Sequence, residues 1–246
     1  MPTESQSKKI ALVTGANKGI GREIARQLAK KGMTVLIGAR DASRGGEAEA
    51  ALKKEGFDAH FVELDVTNEK SIRSAAERIG KDFGRLDVLV NNAAIAIDHG
   101  EAPSEVGIDL VRKTYETNFF GVIAVTQAML PLLRKAEAGR IVNMSSGLGS
   151  LKMGSAPNSP FASFNLLGYN TSKTAVNAVT VSFANELRNT RIKVNAADPG
   201  YVATDLNGHS GPRTVEQGAI APVRLATLGP DGPTGGYFNE DGPVPW

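Results

Sequence analysis

Ile10-Ala11-Leu12-Val13-Thr14-Gly15-Ala16-Asn17-Lys18-Gly19-Ile20-Gly21 is the stretch from which the fold can be read. Its first four residues form a short apolar run, as a strand buried on both faces of a parallel sheet requires. The run stops at Thr14-Gly15, and beyond Gly21 the residues Ile24, Leu28 and Lys31 recur at helical spacing. Strand, glycine turn, helix is the order in which α/β domains hold a dinucleotide. Glycines let the backbone approach a pyrophosphate closely, and the helix N-terminus turns free N–H groups and a positive dipole end toward it. The spacing here is G-x-x-x-G-x-G rather than G-x-G-x-x-G. Gly15, Asn17, Lys18, Gly19, Ile20 and Gly21 are therefore candidate phosphate contacts, with an ordinary tight turn as the other reading of the same residues.

Residues 33–39 read as the second strand, and the residue beyond its end should meet an adenosine ribose. An acidic side chain there would accept from the 2′-hydroxyl of NAD, whereas an arginine would pair with the 2′-phosphate of NADP. The chain offers Arg40, Asp41 and Arg44. Together with Lys18, Arg40 and Arg44 would place three donors around one phosphate. This favours NADP over NAD, with Asp41 weighing the other way. Residues 45–56 read as a charged helix and 59–64 as a third strand, closed by Asp65-Val66 where an adenine edge could be met. Asn68 or Thr67 then caps a helix running to about residue 82.

Residues 86–90 form the fourth strand and end in Asn91-Asn92-Ala93-Ala94, where paired asparagines can brace a turn while leaving room for a ligand. A long helical region spans 110 to about 137, in which Pro131 predicts a kink or a break. Asn118 lies among Phe119, Phe120 and Val122, so its amide must find partners. Residues 140–144 make the fifth strand and deliver Ser145-Ser146-Gly147 at its carboxyl end, where ligands bind in open α/β sheets.

Tyr169-Asn170-Thr171-Ser172-Lys173 opens a long helix to about residue 189 and sets a phenol and an amine four positions apart, on one helical face. A cation there favours phenolate and draws the tyrosine pKa down from about 10, toward the range in which general acids work best. The segment 147–168 before it is irregular yet apolar (Leu148, Leu151, Met153, Phe161, Phe164), and is expected to wall a substrate pocket. Residues 192–196 are the sixth strand, followed by Asp198-Pro199-Gly200-Tyr201-Val202-Ala203-Thr204. A last helix is expected over 215–228 and a short edge strand over 236–239.

The chain has 246 residues, 41% hydrophobic and 22% charged, ordinary for a folded α/β protein. A formal charge of +2 gives no basic field for nucleic acid. Cysteine is absent, excluding disulfides and thiolate metal sites, and the histidines (His60, His99, His209) are too scattered for a metal, each expected as an isolated surface or loop residue. No membrane span or signal peptide is legible, so the expectation is a soluble, cytoplasmic protein with a loose arm at residues 1–8.

Taken in order, these pieces resemble the short-chain dehydrogenase/reductase family over nearly the whole chain, and within it the NADP-dependent carbonyl reductases. The pieces are Thr14 to Gly21, Asp65-Val66, Asn91-Asn92-Ala93-Ala94, Asn118, Ser145-Ser146, Tyr169 to Lys173, and Pro199-Gly200 with Thr204. The resemblance implies one Rossmann-type domain, 1–246, with a doubly wound, mostly parallel seven-stranded sheet and helices on both faces. It implies Tyr169 as proton donor and Ser146 as the holder of the carbonyl oxygen. Lys173 would bind the nicotinamide ribose and lower the Tyr169 pKa, and Asn118 would hold a water of the proton relay. Asn92 and Ala93 would line the cofactor, and Pro199, Gly200, Val202 and Thr204 its nicotinamide end. The expected reaction is reversible NADPH-dependent reduction of a small-molecule ketone or aldehyde, with no metal. Reduction of 3-oxoacyl thioesters, another alcohol dehydrogenase activity and a non-catalytic NADP sensor are the alternatives. The family's usual glycine in the asparagine turn is Ala94 here, which must avoid positive φ or crowd the cofactor. The length of 147–168 leaves both homo-oligomer and monomer open.

Overall fold

The computed structural model describes residues 8–246. Strands β1 (Ile10–Thr14), β2 (Thr34–Ala39), β3 (Ala59–Glu63), β4 (Val88–Asn91), β5 (Arg140–Met144), β6 (Lys193–Ala197) and β7 (Tyr237–Phe238) form one sheet in the order β3-β2-β1-β4-β5-β6-β7. Every pairing is parallel, with Leu12 opposite Leu36 on one side and Leu89 on the other. β1 and β2 are buried along their whole length, as their uninterrupted apolar runs require. The winding direction reverses between β1 and β4, which opens a crevice above the carboxyl ends of these strands.

Alternate strand residues point to opposite faces, and each face has its own core. On one, Val13, Ile37 and Val90 pack with Ile24 and Leu28 of α1 (Gly19–Lys30), Leu52 of α2 (Ala42–Lys54) and residues from the end of the chain. On the other, Leu12, Leu36 and Leu89 pack with Ile72 and Ile79 of α3 (Glu69–Phe83) and with Met129 and Leu133 of α5 (Gly121–Leu133). Ala184 of α7 (Leu167–Glu186) joins this second core. The remaining helices are α4 (Ile108–Tyr115), α6 (Leu151–Gly154), α8 (Val215–Gly218) and α9 (Ile220–Ala226).

Several expected boundaries move, each for a local reason. α2 starts at Ala42, not near 45, because Asp41 caps it by accepting from the Arg44 amide at 3.0 Å. Asn68, rather than Thr67, caps α3. The long helix is not broken at Pro131, which lies in the last turn of α5 and forfeits only its own bond to the Gln127 carbonyl. The irregularity falls upstream, at a π-helical segment, Glu116–Phe120, that contains Asn118. The last helix divides into α8 and α9, since Pro222 has no N–H to carry the ladder across. The edge strand shrinks to Tyr237–Phe238. His60 is not isolated: it stands on β3, bonded to Asp58 at 2.9 Å and edge-on to Phe83. His209 is bonded to Asp205 at 2.8 Å. The expected arm lies outside the described residues except for Lys8, which pairs with Asp58 at 3.3 Å. Among the described residues no helix is long and apolar enough to cross a membrane, and no group of three potential metal ligands gathers.

Arg140 ties the far end of the sheet together without a carboxylate. It is 4% exposed, and its guanidinium donates to the carbonyls of Gly139 (2.7 Å), Arg191 (3.2 Å), Leu228 (2.8 and 3.0 Å) and Gly229 (2.9 Å). Burial pulls its pKa down, yet five donors meet acceptors from three segments. Arg140→Met leaves these carbonyls unpaired and should destabilise the fold by about 2–4 kcal/mol, read as a lower urea midpoint at unchanged slope.

Candidate active site

The glycine turn between β1 and α1 has the geometry its sequence calls for. Gly15 and Gly19 have φ of +64° and +54°, which side-chain-bearing residues rarely adopt. A Cβ on Gly21 would run into the Asn92 amide and stand 2.5 Å from the Gly15 carbonyl oxygen. The first N–H groups of α1 have no side-chain cap, and its first turn holds no acidic residue. Such an end accepts an anion. Asn17 is half-buried beside it with no side-chain hydrogen bond to the described residues, and Ile20 packs down onto the core.

Asn92 and Ala93 brace this turn from β4. The Asn92 Nδ2 donates to the carbonyls of Thr14 (2.8 Å) and Gly15 (3.3 Å), while the amides of Asn92 and Ala93 both donate to Thr14 Oγ1 at 2.9 Å. Thr14 entered the sequence reading as the end of the first strand, with no role as a brace. Its partners lie 78 and 79 residues away, so only the adjacency of β1 and β4 could have disclosed it. Ala94 avoids positive φ, which among described non-glycine residues occurs only at His209.

The three expected phosphate donors do not stay together. Lys18 pairs with Asp205 at 2.5 Å, and Arg44 pairs with Asp41 at 3.1 Å. Arg40 is exposed at the end of β2 and has no partner among the described residues. Asp41, the acidic residue that weighed toward NAD, is engaged as the cap of α2. Asp65 is likewise occupied locally, accepting from the Thr67 amide and hydroxyl at 2.9 and 2.8 Å. Val66, Ala93 and Thr117 line a small recess beside it.

After β6 the chain returns to the glycine turn. Gly200, at φ +74°, donates its N–H to Asp198 Oδ1 at 2.9 Å, following half-buried Pro199. Val202 is buried, and Thr204 stands against Gly19, its methyl 3.6 Å from where a Cβ would be. The segment after β6 thus lies against the glycine turn after β1.

Ser146, Tyr169 and Lys173 meet at the carboxyl end of β5. The Ser146 hydroxyl, which accepts from the Leu148 amide at 3.3 Å, lies near enough to the Tyr169 phenol to favour its ionised form. Lys173 is 3% exposed, donates from Nζ to the Met144 carbonyl at 2.8 Å and lies 5.6 Å from the Tyr169 ring centre. The expected lowering of the tyrosine pKa does not appear in the chain by itself. Burial pushes Tyr169 up to about 12, against the pull of the nearby Ser146 hydroxyl and with help from Asp198. Burial also pulls Lys173 down to about 8. Desolvation is the largest influence on both groups. Asp198 itself is pushed up by burial.

Asn118 is 1% exposed and its amide is fully engaged. Oδ1 accepts from the Ile95 amide at 2.8 Å, and Nδ2 donates to the Ile95 carbonyl (2.8 Å) and to Ser172 Oγ (3.0 Å). The side chain organises backbone, and the expected water-holding role finds its amide already bonded. Above the site, Phe164 of segment 147–168 meets Tyr201 edge-on at 6.3 Å, and Phe161 lies close to Gly147.

Residues 9–214 match the family model described as short chain dehydrogenase. The chain belongs to the short-chain dehydrogenase family. It is 35% identical to a carbonyl reductase [NADPH] 1 of Mus musculus, covering 98% of this chain and 100% of the mouse protein. It is also 35% identical to short-chain dehydrogenase/reductase 1 of Saponaria officinalis, covering 97% and 96%. The structure superposes on NADPH-bound carbonyl reductase from chicken fatty liver with a TM-score of 0.85 at 28% identity, covering 97% of this chain and 99% of that one. As in this family, the chain is an oxidoreductase of the type acting on an alcohol/carbonyl pair. Gly21→Ala forces a methyl into the Asn92 brace and should lower stability by about 1–3 kcal/mol, seen as an earlier melt than the parent chain.

Proposed function

We propose that the protein is an NADPH-dependent reductase of apolar ketones or aldehydes, acting reversibly. The observation that carries this reading is a buried Tyr169 with the Lys173 ammonium 5.6 Å from its ring centre and Ser146 beside its phenol. The names of the mouse and chicken relatives support the cofactor. The residues present fit it, because the uncapped start of α1 and the glycine cradle suit a pyrophosphate and unpartnered Arg40 suits a 2′-phosphate. Gly15, Asn17, Lys18, Gly19, Ile20 and Gly21 would hold the phosphates, with Asp65 and Val66 at the adenine. Asn92 and Ala93 would support the middle, Pro199, Gly200, Val202 and Thr204 the nicotinamide end, and Lys173 its ribose. Arg44 would turn from Asp41 to join Arg40.

Bound NADPH supplies the hydride to the carbonyl carbon. The chain's part is to manage the oxygen. Ser146 and Tyr169 would present two hydroxyl donors to the carbonyl oxygen, where negative charge develops. With its pKa near 12 the phenol is fully protonated at neutral pH, and the alkoxide forming on the substrate is a strong enough base to take its proton. The phenolate left behind faces the Lys173 ammonium, 5.6 Å from the ring, which stabilises that charge in a site with little water. Phe161, beside Gly147, and the contacting rings of Phe164 and Tyr201 would offer an apolar surface to a hydrophobic carbonyl compound.

Tyr169→Phe should keep NADPH affinity, measured by fluorescence titration, and lose about 10²- to 10⁴-fold in kcat on any carbonyl the parent chain reduces. Near-parental turnover overturns the assignment of the acid. Lys173 carries its charge below about pH 8 and loses it as pH rises through that value, whereas Tyr169 stays protonated until about 12. The rate of reduction should therefore fall on the alkaline side of about pH 8, and a pH–rate profile that stays flat to pH 10 contradicts the role given to Lys173.

A further inference from the structure

The helix that carries the acid has no cap of its own. Leu166 at its N-cap offers no side-chain acceptor, and the first-turn amides of any helix lack partners within it. The acceptor comes from 70 residues upstream, in the segment after β4. Asp98, 9% exposed, accepts from the Gly168 amide through Oδ2 at 2.6 Å and from the Tyr169 amide through Oδ1 at 3.2 Å. Gly168 has to be small for this approach, since a Cβ there would lie 3.2 and 3.4 Å from the two carboxylate oxygens and 3.4 Å from Thr114 Oγ1.

The other end of the same residue leads back to the same piece of chain. The Tyr169 carbonyl accepts from Ser172 Oγ at 2.7 Å, and that oxygen accepts from Asn118 Nδ2 at 3.0 Å. Asn118 in turn holds Ile95, three residues before Asp98, by both its amide and its carbonyl. The backbone of Tyr169 is thus fixed at its N–H by Asp98 and at its C=O through Ser172 and Asn118. Only the first of these ties reaches the amides that set where α7 begins.

We propose that Asp98 is a positioning residue for the proton donor of the reaction proposed above: by bonding the Gly168 and Tyr169 amides it sets the first turn of α7 so that the phenol meets Ser146. The inference rests on that reading for its effect on rate, and on geometry alone for its effect on the turn. A carboxylate is suited to the task because its two oxygens serve two amides at once, at the positive end of the α7 dipole. Asn retains one acceptor and would face the second amide with a donor.

The test compares the parent chain with Asp98→Asn and Asp98→Ala in two measurements on the intact protein. In hydrogen exchange, Asp98→Ala should speed the amides of 168 and 169 at least about tenfold while those of 176–180 stay as in the parent. In steady-state kinetics it should lower kcat about 10- to 100-fold with the NADPH Kd within about twofold, because a displacement of about 1 Å at the reacting group costs rate and the glycine turn is untouched. Asp98→Asn should recover part of both losses. Unchanged exchange at 168 and 169, or kcat within twofold of the parent, overturns the proposal. Faster exchange along the whole of α7 with NADPH affinity lost in equal measure also overturns it, as the mark of a merely structural cap. A parent chain that binds NADPH but reduces no carbonyl overturns the reductase reading, and the exchange data still decide whether Asp98 holds the turn.

Discussion

A buried side-chain amide must satisfy its donors and its acceptor, and at Asn118 that requirement joins three pieces of chain with no sequence in common. The π-helical segment Glu116–Phe120 turns Asn118 inward to 1% exposure, where it bonds both polar groups of Ile95 and the hydroxyl of Ser172. The strand-end segment after β4, the bulge before α5 and the first turn of α7 are thereby held together. The position of Tyr169 follows from that junction. An extra residue in the helical turn is what lets an asparagine among apolar neighbours reach backbone rather than solvent.

Electrostatics at the site is set first by burial. Tyr169 and Lys173 are both withdrawn from water, and both are driven toward their neutral forms, the phenol up to about 12 and the amine down to about 8. A cation beside a phenol lowers its pKa only where its attraction exceeds the penalty that burial places on the charged form. The arrangement gives a donor that keeps its proton until a strong base arrives, with the compensating charge already in place. The expected phosphate donors are likewise divided: Lys18 and Arg44 are held by Asp205 and Asp41, and of the three only Arg40 has no partner among the described residues.

The sequence was most legible where structure is local. Apolar runs placed the strands within a residue or two, and the fifth, Arg140–Met144, exactly where it lies. Positive φ at Gly15 and Gly19 was implicit in their type and position. What could not be read were partners set by the tertiary fold. Thr14 braces the asparagine turn, Asp98 caps α7 and Asp205 binds Lys18, across 78, 70 and 187 residues respectively. The same limit explains the boundary errors: α7 starts two residues before Tyr169 because its cap is remote, and α2 starts early because Asp41 caps a helix instead of meeting a ribose. Pro131 signalled a break that a proline in a last turn does not cause, while at Asn118, read only as an amide in need of partners, the sequence did not disclose the π segment.

The claim that joins these observations is that the groove above β1 and β4 delivers a hydride to a carbonyl held by Ser146 and Tyr169. Incubating the protein with NADPH deuterated at the transferring position of the nicotinamide, together with a panel of apolar ketones and aldehydes, tests it directly by mass spectrometry. The account predicts an alcohol carrying one deuterium on its carbinol carbon, in step with cofactor oxidation. Tight NADPH binding with no labelled alcohol from any member of the panel would contradict it.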